Sequence, residues 1–244
     1  MKIYLDNNIF VSIEDKEIEL NELKNIFGSN AKFVYSYIHV LELLEAKKDF
    51  EQLKKTRFKT INEVTGNYYV FQETNHNSTN LTDFKIERPE FVLNIIRNYN
   101  FINDEFRKSL KRFDLIDRKK LIEFLSIDTR RISNYSEEEV IKHINKALTD
   151  NLYLPINTFL DLTGDQLSSR IRFLFNLLDY LGYWKDKNSH KANLARLYDA
   201  SHAYYASECD IFLSNDTRAC KKTKVAFELY GIKTNVFDWK KIKQ

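Results

Sequence analysis

Two aspartates in this sequence come just after short apolar segments. Asp6 directly follows KIYL at residues 2–5, and Asp216 lies two residues beyond DIFLS at residues 210–214. Continuous apolar runs of this kind are typical of parallel strands that are buried on both faces. Ligands in open parallel sheets bind at the carboxyl ends of the strands. We therefore expect Asp6 and Asp216 to point into the same binding region.

Two further carboxylates are predicted on helices next to strands. Asp199 falls in a helix at about residues 190–207, which leads into the second of the strands above. Glu42 falls in the helix that follows a strand at residues 32–36, at the edge of that helix's apolar stripe, and Glu45 is the alternative. A carboxylate at the edge of an apolar stripe lies either at the solvent boundary or in a site.

Four carboxylates at one edge of a sheet would repel one another. Two like charges 4 Å apart cost about 4 kcal/mol at an effective dielectric constant near 20. Raised carboxyl pKa values would reduce this repulsion, but a hard divalent cation would compensate it better. Mg²⁺ and Mn²⁺ take oxygen ligands, and one or two such ions can activate a water and stabilise the leaving oxygen of a phosphodiester. The four acids therefore predict metal-dependent hydrolysis.

Several polar residues accompany these carboxylates. His202 follows Asp199 by three residues on the same helical face, so it either orients that carboxylate or is a core histidine bonded to the backbone. Ser214 can hydrogen-bond a carboxylate or a phosphate. Three amides are candidates for hydrogen bonds to the metal ligands: Asn7, Asn8 and Asn215.

Simpler roles are open for the two aspartates at the strand ends. Asp6 and the two asparagines after it have the composition of a turn. Asp216 can cap the amino end of a predicted helix at residues 218–230, where aspartate is favoured. A metal ion at Asp216 would compete with that capping hydrogen bond.

A run of basic residues predicts an edge that contacts RNA. The helix that carries Glu42 is predicted to continue past residue 55, and four lysines lie along this extension: Lys47, Lys48, Lys54 and Lys55. Arg196, one helical turn before Asp199, would meet a phosphate or pair with that aspartate. Such contacts would position an RNA backbone without reading its sequence. The alternative for the lysines is an ordinary solvated helix face.

The strands and helices that position these residues alternate at both ends of the chain. Strands are predicted at residues 2–5, 32–36, 210–214 and 232–239. Residues 66–83 are rich in Asn and Thr and are predicted to form a loop. Helical periodicity covers about residues 87–185, with a capping box from Ser136 to Glu139. The sequence therefore predicts an α/β domain whose parallel sheet is built from both ends of the chain and carries a mainly helical insertion.

Three segments resemble the signature segments of the PIN domain, a family of metal-dependent ribonucleases: KIYLDNNIF, SYIHVLELLEA and YDASHAYYASECDIFLSND. The family's four acidic positions are matched in order by Asp6, by Glu42 behind Ser36, by Asp199 and by Asp216 after Ser214. The resemblance covers about residues 1–48 and 188–240, and residues 50–187 match nothing in a compact member of the family.

The resemblance implies a PIN-like three-layer α/β/α fold. Residues 1–48 and 188–244 would form the nuclease domain, and residues 49–187 the helical insertion. It further implies a divalent-metal-dependent endoribonuclease in which the four acids hold Mg²⁺ or Mn²⁺. Because many members are bacterial toxins, a toxin or defence role is implied, with RNA and an antitoxin or regulatory protein as partners. A homodimer is a further candidate assembly.

Three other functions compete with this interpretation. A catalytically silent PIN-like module would bind RNA or protein, although the complete set of acids argues against it. A structure-specific DNA nuclease of the related flap-endonuclease type is the nearest alternative. A phosphotransfer enzyme of the haloacid dehalogenase type would use Asp6 as nucleophile, but that fold expects an aspartate two residues later, where this chain has Asn8.

Composition and charge say more about the cellular compartment of the protein than about its function. The net charge of +3 and the pI near 8.6 are weakly compatible with an anionic partner. The two cysteines, Cys209 and Cys220, lack the spacing of a disulfide framework or a zinc site. The amino terminus has no secretory signal pattern, and no segment has 18 consecutive apolar residues. We therefore expect a cytoplasmic protein without a membrane partner.

Overall fold

A computed structural model describes residues 1–45, 49–74, 80–98, 118–161, 166–186 and 190–242. The strands are β1 Lys2–Leu5, β2 Lys32–Val34, β3 Tyr68–Thr74, β4 Asn80–Ile86, β5 Ile211–Ser214 and β6 Asn235–Asp238. The described helices are α1 Asn7–Glu14, α2 Leu20–Phe27, α3 Tyr37–Leu43, α4 Phe50–Thr65, α5 Pro89–Asn98, α6 Arg118–Leu125, α7 Glu137–Leu152, α8 Ile156–Asp161, α9 Leu167–Leu181, α10 His190–Ala206, α11 Thr217–Tyr230 and α12 Trp239–Ile242.

Four of the strands form a parallel sheet in the order β2-β1-β5-β6. Ile3 of β1 pairs with Phe33 of β2 and with Ile211 of β5, and Ile211 pairs in turn with Asn235 of β6. Helices flank this sheet, and β1 and β5 are buried along their length. The predicted α/β class with a central parallel sheet is therefore confirmed, and both ends of the chain supply its strands.

The part of the chain after β2 differs from the prediction in two places. The helix after Ser36 ends at Leu43, and a separate helix, α4, begins at Phe50, so one continuous helix past residue 55 is wrong. The loop predicted at residues 66–83 is wrong where the structure describes it, because β3 and β4 pair there as antiparallel strands, and residues 75–79 lie outside the described residues. The hairpin joins the sheet region through Tyr35, whose carbonyl accepts from the Val70 amide at 2.9 Å.

The helical region between the hairpin and β5 is confirmed where it is described. The Ser136 amide donates to Glu139 Oε2 at 2.7 Å, and the Glu139 amide donates to Ser136 Oγ at 3.3 Å, as the predicted capping box requires. Helix α9 ends at Gly182, whose φ of 91° lies in the left-handed region that glycine adopts without strain. No described helix is both long enough and apolar enough to cross a bilayer.

The chain divides into two compact units, and their bounds differ from the predicted domain bounds. Unit 1 takes its described residues from 1–102, 205–217 and 234–244 and contains the sheet, the hairpin and α1 to α5. Unit 2 takes its residues from 103–204 and 218–233 and contains α6 to α9. Residues 49–98 therefore cluster with the sheet, and a domain boundary at residue 48 stays a prediction.

A buried cluster of charges connects three helices inside unit 2. The Lys222 side chain is 1% exposed, and its Nζ lies 2.6 Å from Asp186 Oδ2 and 3.2 Å from Asp179 Oδ1. Asp179 also pairs with Arg196 of α10, which is 4% exposed. Charges this far from water remain ionised only when each has a partner, so the cluster holds α9, α10 and α11 together.

We predict that Lys222→Met lowers the free energy of unfolding by about 3–5 kcal/mol, because it removes the buried cation that Asp179 and Asp186 share. Urea unfolding followed by circular dichroism measures this. The matched control is Lys221→Met, which removes a partly exposed pair with Glu137 and should cost less than about 1 kcal/mol. Equal losses in the two variants would contradict the prediction.

Candidate active site

Asp6 lies at the carboxyl edge of the sheet and begins α1. Its amide donates to the Leu213 carbonyl at 2.9 Å, which extends the pairing of β1 with β5 by one residue. Its Oδ1 accepts from the Asn7 amide at 2.7 Å, as an N-cap does. The prediction of a simple turn at Asp6–Asn8 is therefore wrong, since the same aspartate starts a helix of eight residues.

The second oxygen of the Asp6 carboxylate joins β1 to β5. Oδ2 accepts from Asn8 Nδ2 at 2.6 Å and from Ser214 Oγ at 2.6 Å. Ser214 Oγ accepts in turn from the Asp216 amide at 3.0 Å. Asp6 is 3% exposed and Ser214 is fully buried. The structure thus brings together four residues that the sequence singled out, Asp6, Asn8, Ser214 and Asp216.

The two other predicted asparagines extend this group in different directions. The Asn215 amide donates to Asn8 Oδ1 at 2.8 Å, and Asn215 Nδ2 donates to Ser12 Oγ at 3.1 Å. Asn215 Oδ1 is a buried acceptor for which the described residues provide no donor. Asn7 instead accepts from Arg57, which is paired with Glu14 at 2.6 Å. Asn8 and Asn215 therefore support the Asp6 site, whereas Asn7 connects α1 to α4.

The charges of Asp6 and Glu42 both affect the pKa of the Tyr4 hydroxyl. The Tyr4 hydroxyl lies 2.6 Å from Ser36 Oγ at the start of α3, the helix that carries Glu42. Burial raises the pKa of Tyr4 well above its usual value, the hydrogen bond with Ser36 lowers it in part, and the charges of Asp6 and Glu42 raise it further. Two of the four predicted acids therefore act on the same buried hydroxyl.

Sequence reasoning missed two residues of this region. His39 accepts from the Ser36 amide at its Nδ1 (3.0 Å) and donates from Nε2 to the Leu5 carbonyl (2.7 Å), so the ring bridges α3 and β1. No sequence pattern marks His39. Asp238 ends β6 and accepts from Thr217 Oγ1 at 2.7 Å. The rule that identified Asp6, an acid after an apolar strand, could have found Asp238.

Three further predicted residues belong to unit 2. Asp199, His202 and Arg196 are all on the part of α10 that belongs to unit 2, and His202 is fully buried. Arg196 pairs with Asp179 and donates to Asn193 Oδ1 at 2.5 Å. The convergence of Asp199 with Asp6, and an RNA contact of Arg196, stay predictions.

The lysines of the predicted RNA edge are described only in part. Lys54 pairs with Glu51 on α4, and Lys55 is exposed on the same helix. Lys47 and Lys48 lie outside the described residues. An RNA contact of these lysines stays a prediction.

Oxygen ligands for a metal are present, but a closed cluster is not. Within the described ranges, no three His, Cys, Asp or Glu side chains stand close enough together to hold an ion. Mg²⁺ does not require such a cage, because it commonly keeps several waters and binds through one or two carboxylates together with substrate phosphates. The Asp6 carboxylate is a suitable ligand for this kind of magnesium binding. Asn215, whose buried Oδ1 has no donor among the described residues, is joined to Asp6 through Asn8.

Comparison with protein-family models, with curated proteins and with solved structures finds no match to this chain. The α/β fold is therefore established by the structure alone, and membership of the PIN family stays a prediction.

We predict that Ser214→Ala lowers the free energy of unfolding by about 1–3 kcal/mol, because the Asp6 carboxylate and the Asp216 amide each lose a buried partner. Chemical denaturation measures the loss. Ser29→Ala, at an exposed serine, is the control and should change stability by less than about 0.5 kcal/mol. If the two variants were equally stable, the Asp6–Ser214 bond would contribute nothing.

The raised pKa of Tyr4 predicts a loss of stability at high pH. Above about pH 10 a tyrosine in the unfolded chain loses its proton, whereas folded Tyr4 keeps it. The unfolded state then binds fewer protons, so the free energy of unfolding falls as pH rises. Between about pH 8 and about pH 11, wild type should lose about 1.4 kcal/mol more than Tyr4→Phe. If the free energy of unfolding fell equally with pH in wild type and in Tyr4→Phe, the prediction would be refuted.

Proposed function

We propose that this chain is a divalent-metal-dependent endoribonuclease with a PIN-like fold, acting as a toxin or defence nuclease. The observation that carries the proposal is the Asp6 carboxylate, held by Asn8 and Ser214 at the carboxyl edge of a parallel sheet. Sites of open α/β folds form at this edge. The order and context of the acids in the three PIN-like segments are the second support.

The residues around Asp6 fit a hard divalent cation chemically. The Asp6 carboxylate accepts hydrogen bonds from the Asn7 amide, from Asn8 and from Ser214, and a carboxylate oxygen is a ligand that Mg²⁺ and Mn²⁺ prefer. Asn215 Oδ1 is buried without a donor among the described residues, and a carbonyl oxygen is a ligand that Mg²⁺ and Mn²⁺ accept. Asp6 would hold the ion directly, and Asn215 would bind it or one of its waters.

The protein's own part in the proposed reaction is orientation. When bound, Mg²⁺ or Mn²⁺ would supply an acidified water and neutralise charge on the phosphodiester. Asn8 and Ser214 donate to one oxygen of Asp6 and thereby fix the direction of the other. Glu42, on a helix held to β1 by His39, and Asp199 and Asp216 would complete the proposed acidic set.

A binding module without catalysis is the second candidate, and two observations favour it. Both oxygens of Asp6 already accept hydrogen bonds, and the described acids form no group of three. A silent PIN-like protein would keep this network only for stability. The two candidates differ in whether metal ions change the protein and whether RNA is cut.

The decisive experiment incubates the purified chain with labelled RNA and DNA oligonucleotides of the same sequence in Mn²⁺, in Mg²⁺ and in EDTA. We expect cleavage of RNA, abolished by EDTA, and loss of rate on the order of 100-fold or more in Asp6→Asn. Glu42→Gln, Asp199→Asn and Asp216→Asn should lose activity similarly. The control is Asp15→Asn, at an exposed position that ends the same helix.

A metal-binding measurement separates loss of chemistry from loss of folding. Mn²⁺ at about 100 times its dissociation constant should stabilise wild type by about 2.7 kcal/mol, and Asp6→Asn should lose this stabilisation while still unfolding cooperatively. If Asp6→Asn cut RNA as fast as wild type in Mn²⁺, the nuclease proposal would fail. Cleavage of the DNA alone would favour a DNA nuclease, and no cleavage by folded wild type would favour the silent module.

A further inference from the structure

A groove of about 970 Å³ lies between α4 and α5 in unit 1. At one end the Arg97 guanidinium of α5 lies 5.9 Å from the centre of the Phe50 ring, at the start of α4. At the other end, just before α5, the Glu87 amide donates to the carbonyl of Asn67, just after α4, at 2.9 Å. The two helices therefore run antiparallel, and we call the space between them the α4–α5 groove.

Basic side chains line both walls of the α4–α5 groove. Five basic residues line it against two acidic ones: Lys54, Lys55 and Lys59 from α4, Arg88 and Arg97 from the α5 side, and Glu51 and Glu90. Glu51 is already paired with Lys54. In the described part of the chain, Lys55, Arg88 and Arg97 form no ion pair. A concave surface with uncompensated charge of one sign concentrates an oppositely charged ligand.

The rest of the groove is suited to a polar chain. Amide side chains of Gln52, Asn62 and Asn94 also line the groove and can hydrogen-bond sugar hydroxyls and base edges. The apolar lining residues, Phe58 and Leu93, are almost fully buried, so they offer little surface to a lipid or an apolar peptide. Cations on two facing walls can contact a single narrow polyanion from both sides.

We propose that the α4–α5 groove binds the phosphodiester backbone of a single-stranded nucleic acid. Phosphate contacts from Lys55, Arg88 and Arg97 would supply affinity without reading the sequence. The inference rests on the proposed nuclease function for its choice of ligand. It deepens that function because it adds α5, which the predicted lysine edge did not include, to the surface that holds the substrate.

The test measures binding in EDTA, where metal-dependent cleavage cannot proceed. A fluorescently labelled single-stranded RNA is titrated with wild type, with K55Q/R88Q and with the matched control K24Q/K240Q, whose lysines are exposed in unit 1 outside the groove. For single strands the logarithm of the binding constant falls with the logarithm of salt concentration by about 0.7 per phosphate contact. The groove variant should therefore lower this slope by about 1.4, and the control should leave it unchanged.

Two further arms make the outcome unambiguous. The charge-retaining variant K55R/R88K should keep the wild-type slope, and a cooperative thermal transition shows that each variant is folded. Equal slopes in all proteins, or the same decrease in K24Q/K240Q, would overturn the proposal. So would a groove variant that binds RNA normally but no longer binds vesicles containing anionic lipid, since the occupant would then be a membrane.

The binding result also stands apart from the nuclease result. Groove-dependent binding in EDTA by a protein that cuts no RNA in Mn²⁺ would support the groove and refute the nuclease. Cleavage that needs Asp6, with a salt slope independent of Lys55 and Arg88, would refute the groove alone.

Discussion

The buried carboxylate of Asp6 has to be neutralised or fully hydrogen-bonded where β1 ends, because an isolated charge out of water is very unfavourable. It accepts hydrogen bonds from the first turn of α1 beside it and from Ser214, which is 208 residues away in sequence. The Asp6 carboxylate therefore has all of these hydrogen bonds only when β5, from the last third of the chain, is paired with β1. Such a long-range hydrogen bond favours one register in a parallel sheet that is built from both ends of a chain.

The same edge of the sheet also fixes α3. His39 accepts from the Ser36 amide and donates to the Leu5 carbonyl, so its ring connects the start of α3 to the end of β1. Because Leu5 immediately precedes Asp6, α3 is attached to the backbone that also carries the carboxylate. Glu42, which lies on α3, is consequently attached to the strand that ends just before Asp6.

Local patterns predicted those features that depend on local physics. The two central strands, β1 and β5, are short apolar runs, and the capping box at Ser136 involves only the next turn. The hairpin was missed because Asn and Thr suggested a loop, whereas the pairing of Tyr35 with the Tyr69 region supports β3 from a distant strand. The role of Asn7 was missed for the same reason, since Arg57 reaches it from 50 residues away. Contacts of this range leave no mark on sequence periodicity.

The Asp6 site and the α4–α5 groove of unit 1 differ in how strongly salt screens their charges. Around Asp6 the polar groups are buried and already oriented, so salt screens them little and small displacements are costly. In the α4–α5 groove Lys55, Arg88 and Arg97 are exposed, so each would contribute modestly and salt would screen all three. The proposed nuclease, which would have to release its product after each cut, would gain from this division, because its attachment to the RNA would be weak and reversible while the geometry at the carboxylate stays fixed. The buried network would therefore govern the chemistry, and the groove would govern how long the strand remains bound.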